Sequence, residues 1–131
     1  MAPEIPSLNT AYNKIATRSN DLDDAVLVEE LRDLLGSRLV AYLAGASSTT
    51  IVNDYATGAV PVPAKIHGHL HLAYNFAALQ QQLGASPRVI QAWFQGRNPR
   101  LAERAPARAI LENPTATTDH LLIAAAATLA T

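Results

Sequence analysis

Glycine and proline cut this chain of 131 residues into helix-length pieces, and within the pieces apolar side chains recur every three or four positions. In "DLDDAVLVEELRDLLG", Leu22, Val26, Leu27, Leu31, Leu34 and Leu35 fall at helical spacing. The aspartates at its start can cap free amides, and Gly36 stops the run. After Ser37, "RLVAYLAG" reads as a second, short helix. "SSTTIVNDYATG", capped by Ser47 or Ser48 and closed by Gly58, reads as a third. "AVPVP" is extended, because a residue before proline is pushed out of the helical region. Pro63 then starts a long helix to about Leu83. Beyond the break at "GASP", "PRVIQAWFQG" turns Val89, Ile90, Trp93 and Phe94 toward a core. A Pro106-initiated helix runs to Leu111, and a last helix follows a cap at Thr117 or Thr118. Nothing reads as a strand, so an all-α fold is expected.

Heavy use of alanine and scarce aromatics agree with that expectation. No cysteine is present, which excludes a disulfide framework or a thiolate metal site and fits a reducing cytoplasm. The first residues lack the pattern of a secretory signal, and no apolar run is long enough to span a bilayer, so a cytoplasmic chain without a membrane partner is expected. Residues 1–20, with two prolines and weak periodicity, read as a loose arm. Residues 21–83 then form one helical domain and residues 84–131 a second.

Charge is unevenly spread. Seven of the eleven acids lie between Glu4 and Asp33, and five of the ten basic residues are Arg88, Arg97, Arg100, Arg104 and Arg108. Either an anionic partner, nucleic acid or an acidic protein face, or an ordinary solvated surface accounts for the arginines.

"KIHGHLHLAYNF" raises a metal question. On a strand His67, His69 and His71 would share a face, but on a helix they do not. There, Ile66, Leu70, Leu72, Ala73, Phe76, Ala77 and Leu79 define an apolar face with His69 near its middle, and His67 and His71 point to the polar side. An i,i+4 histidine pair can hold zinc, but it needs further ligands. No carboxylate lies between Asp54 and Glu103. The expectation is therefore no metal and no cofactor, with His69 hydrogen-bonded in a core or interface. A small metal-dependent enzyme on His67 and His71 is the opposing reading. No phosphate loop, nucleophile elbow or carboxylate pair suggests catalysis.

The two short helices have the outline of a helix-turn-helix. If so, the second enters the major groove, with Ser48, Thr49, Thr50 and Asn53 toward base edges and Arg38 and Lys65 on phosphates. That recognition helix has no Arg or Lys and carries Asp54, so a monomer should bind weakly. The other possibility is a three-helix core that only resembles the motif.

The terminal stretch "HLLIAAAATLAT" is uncharged and apolar nearly all round, so it must be buried on most sides. A chain this small can hardly cover it alone, which points to a partner polypeptide. Beside it, Arg97, Arg100 and Arg104 follow near-helical spacing next to Trp93, a combination of aromatic and arginine residues typical of interface hot spots.

"AWFQGRNPRLAERAPARAILENP", with Trp93, the Asn98-Pro99 pair, Leu101, Pro106 and Leu111, resembles the toxin-binding domain of the Xre/MbcA/ParS antitoxin family. The preceding "LVAYLAGASSTTIVNDYATGAVPVPAKIHGHLHLAY" is similar to the Xre-type helix-turn-helix that accompanies it. The likeness runs from about Asp21 to Thr131. It implies an antitoxin of a type II toxin–antitoxin pair, partnered by a RES-domain toxin that consumes NAD. The C-terminal domain would cover the toxin's NAD pocket, the N-terminal half would bind operator DNA and repress the operon, and the assembly would be a homodimer or a hetero-oligomer with the toxin. The implied toxin-binding residues are Trp93, Arg97, Asn98, Arg100, Leu101, Arg104, Leu121, Leu122, Leu129 and Thr131. Three departures stand out: His69 and His71 replace arginines common in the family, the recognition helix lacks basic residues, and Ala102 and Glu103 follow the leucine where members tend to have a glycine. A stand-alone helix-turn-helix repressor, homodimeric through its C-terminal helices, is the alternative.

Overall fold

The computed structural model describes residues 5–112 and 118–129, with side chains for 8–112 and 118–125. Its first element corrects the sequence reading. Residues expected as a loose arm form α1 (Ile5–Asn20), and Leu8, Tyr12 and Ile15 on one of its faces are buried against the rest of the chain. Their spacing is helical, but three residues diluted among polar neighbours make a faint signal.

α2 (Asp24–Leu35) follows the aspartate run and stops at Gly36, whose φ of 83° suits a residue without Cβ. The Gly36 N–H donates to the Arg32 carbonyl, and α3 (Ser37–Leu43) begins at the next residue. After residues 44–49 comes α4 (Thr50–Thr57), closed by Gly58 in the left-handed conformation. α5 (Ala64–Gln82) starts directly after Pro63. α6 (Pro87–Gln95) is capped by Ser86, whose Oγ accepts from the Val89 N–H at 3.3 Å. A single 3-10 turn (Pro99–Leu101) precedes α7 (Pro106–Glu112), and α8 (Thr118–Leu129) ends the described chain. Among the described residues all regular structure is helical, and no helix is long and apolar enough to cross a membrane.

α5 is the central strut. It packs against α1, α2, α3, α6, α7 and α8. From Leu70 to Ala77 every residue is buried, so the polar side expected for this stretch does not exist. His71, assigned to that side, is buried, while His69, assigned to the apolar centre, is only half-buried. The reason is α1: by covering the face that looked polar, it turns a two-sided helix into a core helix. Phe76 is the aromatic hub. Its ring centroid lies 4.8 Å from Tyr12 and 6.2 Å from Trp93, and Trp93 meets Phe94 edge-on at 4.9 Å.

One buried cluster runs from Leu8 in α1 to Ala125 in α8, so residues 21–83 and 84–131 share a core. Within α8, Leu121, Leu122, Ala124 and Ala125 are buried against α1, α5 and the 3-10 turn, and Ile123 is exposed. The chain itself thus covers these four side chains, whose burial needs no second polypeptide. The missing cover is α1. Val89, expected in the core, is half exposed instead.

Candidate functional site

The segment after α6 folds on itself around Asn98. The Asn98 Oδ1 accepts from the Arg100 N–H at 3.0 Å, and the Asn98 carbonyl accepts from the N–H groups of Leu101 and Glu103 at 2.9 and 3.0 Å. The Asn98 N–H in turn donates to the Arg104 carbonyl at 3.2 Å, closing a loop from 98 to 104. Closing so short a loop demands two left-handed residues in succession. Ala102 (φ 57°) and Glu103 (φ 65°) supply them, and no other described non-glycine residue has positive φ. Each costs roughly 1–2 kcal/mol relative to an ordinary backbone.

Leu101 is buried and anchors the loop, while Arg97 and Arg100 are exposed and enter no ion pair among the described residues. Arg104 is a brace: its Nε donates to the Leu101 carbonyl at 3.1 Å and its Nη1 meets Glu112 Oε1 at 3.2 Å. Arg108 shares that carboxylate at 3.3 Å. The cluster expected from sequence therefore divides. Arg97 and Arg100 face outward, Asn98 and Arg104 hold the loop, and Trp93, Leu101, Leu121 and Leu122 belong to the core rather than to an exposed docking surface. The Leu129 side chain and Thr131 lie outside the described residues.

Between α3, α6 and α7 lies an apolar cleft of about 330 Å³. Leu39, Phe94, Ala105 and Ala107 line it, with Tyr42, Arg38 and Arg108 alongside. Tyr42 is 46 % exposed, unusual for a large aromatic ring. Sequence reasoning missed Tyr42 because α3 was read as a helix-turn-helix support; its place one turn after Leu39, at the edge of the buried face, was the available sign.

Ser48 and Thr49, just before α4, and Thr50 and Asn53 within it are all exposed. Asn53 is engaged, however: its Oδ1 accepts from Arg32 Nη1 at 3.3 Å. Arg38 lies beside the α3–α7 cleft, and Lys65 is exposed on the first turn of α5. Neither hydrogen-bonds to α4 among the described residues.

A third constellation joins α2 to α5. His67 Nε2 is 3.0 Å from Asp24 Oδ1, and His71 Nε2 is 3.8 Å from the same oxygen. The two imidazole centroids are 4.1 Å apart. Burial, followed by the neighbouring His67, holds the His71 pKa below its usual value, although Asp24 pulls the other way. The histidine pair, which has no carboxylate near it in sequence, has one in space, because Asp24 arrives from 43 residues upstream of His67. Only tertiary packing brings it there.

No family model matches the chain, and no curated protein or solved structure matches it either.

Proposed function

We propose that this chain is a binding protein, an antitoxin that neutralises a RES-domain, NAD-degrading toxin, with a second role for α3 and α4 at operator DNA. The observation that carries the reading is the closed loop at 98–104. It holds two strained residues and presents Arg97 and Arg100 with their charge unspent, and backbone strain of this kind concentrates at ligand clamps. Exposed Tyr42 beside an apolar cleft adds an aromatic anchor point, and arginine and tyrosine are the residue types that dominate interface energetics. A partner with an acidic rim and one protruding apolar side chain fits both features. The resemblance of residues 92–114 to a toxin-binding domain supplies the toxin class.

Co-expression with the product of the adjacent reading frame tests the proposal. The wild-type chain should rescue growth and co-purify with that product. The double variant Arg97→Glu/Arg100→Glu should fold normally and lose both. Protection undiminished by the double variant, or no co-purification with wild type, rules out this surface as the toxin contact. The operator role has its own test. Purified complex should bind its upstream DNA with affinity that falls steeply as salt rises. The stand-alone repressor reading requires the chain alone to do so, and the hydroxyl-rich, base-free α4 favours it less.

A further inference from the structure

We infer that Asp24, His67 and His71 form a binding site for one divalent transition-metal ion of the zinc class, tying the start of α2 to the start of α5.

The ligand atoms are Asp24 Oδ1 and the Nε2 atoms of both histidines, all within 4.8 Å of one another. A tetrahedral zinc ion takes nitrogen and oxygen ligands at about 2.0–2.2 Å, which places them roughly 3.3 Å apart. The observed separations of 3.0 and 3.8 Å from Asp24 bracket that value, so small side-chain adjustments complete the geometry. His67 and His71 are one helical turn apart, the spacing by which a helix presents two imidazoles to one ion.

The tautomer of His71 supports the same conclusion. Ser19 Oγ donates its only proton to the Ala16 carbonyl at 3.1 Å, so toward His71 Nδ1, 3.4 Å away, it acts as an acceptor. That contact suits the tautomer with the proton on Nδ1, which leaves Nε2, the atom turned toward Asp24, unprotonated and able to ligate a metal. That Nε2 atom is fully buried and has no hydrogen-bond partner. A lone pair facing a carboxylate oxygen is an unfavourable arrangement that a cation between them reverses. Ser19 plays the orienting role that an outer hydrogen-bond acceptor plays for metal-bound histidines. His67 now donates from Nε2 to Asp24; on metal binding that proton moves, through solvent, to Nδ1 of its half-exposed ring.

Leu27, Val28, Val62 and Leu70 wall the inner side, and the crevice holds no volume that a water molecule could enter. An octahedral ion with several waters does not fit there. The half-exposed His67 and Asp24 leave one position for a water on the solvent side, giving a four-coordinate N2O-plus-water site. With no room for a substrate, the ion's role is to clasp the two helices.

The test uses the full-length chain without a histidine tag, stripped with chelator and titrated with zinc chloride by calorimetry. Zinc is counted after gel filtration, and cobalt serves as a spectroscopic probe. One zinc ion per chain, a rise in melting temperature with zinc, and a tetrahedral cobalt spectrum are expected. His67→Ala and Asp24→Asn, both at half-exposed positions, should keep the helical circular-dichroism spectrum of the metal-free protein. Each should lose at least tenfold in zinc affinity together with the thermal gain. Ser19→Ala should weaken binding by about 10- to 100-fold. Failure of the wild-type chain to bind zinc, or binding unchanged in either His67→Ala or Asp24→Asn, overturns the assignment.

Discussion

The two surfaces that the sequence nominated for binding, α4 and the 98–104 loop, differ in how much of their chemistry is already satisfied. On α4 the side chain best suited to reading a base, Asn53, is occupied by Arg32, and the helix itself carries Asp54 and no Arg or Lys. The backbone there is ordinary helix ending at a glycine that accepts positive φ without penalty. The 98–104 loop is the reverse. Its polar backbone groups are consumed internally, its backbone is held in two unfavourable conformations, and its outward arginines are unspent. A relaxed, electrically balanced surface has little to gain from a partner. A rigid surface with unpaired charge can gain without first paying ordering entropy. The comparison thus favours a protein partner at the loop over DNA at α4.

The largest expected effect concerns what supports the loop. If Trp93 is core, Trp93→Ala should cost about 3–5 kcal/mol in urea denaturation, because it deletes a ring packed on Phe76 and Phe94. Its Nε1 is buried without a partner, so Trp93→Phe should cost much less. An unchanged midpoint in Trp93→Ala would return the ring to the surface and merge the two regions again.

Next in size is the double variant Arg97→Glu/Arg100→Glu. Two hot-spot arginines at roughly 2 kcal/mol each correspond to a loss of about 1,000-fold in partner affinity. Stability of the free chain should stay within about 0.5 kcal/mol, as for other surface substitutions. By contrast, Thr50→Ala should leave binding of that partner untouched. Equal losses from both would erase the distinction between loop and α4.

Much of this architecture was legible because glycine and proline act locally. Gly36, Gly58, Pro63, Pro87 and Pro106 mark helix ends within a residue or two of where they occur, and the all-α class followed directly. What stayed hidden was long-range. α1 looked like an arm because its three core residues matter only once α5 and α8 present faces for them. From that omission came the misplaced His71 and the unforeseen cover over α8, whereas Asp24 reached His67 unforeseen because it depends on the packing of α2 against α5. The loop was half legible. Its residues were picked out as a set, but which arginines face solvent depends on Glu112, which Arg104 and Arg108 share.

Smaller still is the effect of relieving the loop. Ala102→Gly or Glu103→Gly removes a Cβ from a left-handed residue but loosens the unfolded chain, so each should stabilise by about 1 kcal/mol net, read as a higher urea midpoint. If the strain serves binding, the variants should also bind the partner more weakly through a more mobile loop. Stabilisation with unchanged affinity would show that strain and recognition are independent.

The smallest effect lies at α5 and depends on pH. His71 has a folded pKa below its unfolded value near 6.5, through burial first and the His67 charge second. A base so depressed binds its proton more readily when unfolded, so its contribution is fully present above about pH 6.5 and is lost as pH falls through the folded pKa. Melting temperature should therefore decline on acidification below about 6.5 even while the carboxylates remain ionised. His71→Gln should flatten that decline. Asp24→Asn should steepen it, because Asp24 is the one neighbour that favours the protonated ring. A decline of equal slope in all three proteins would place the acid sensitivity elsewhere and leave His71 a passive member of the core.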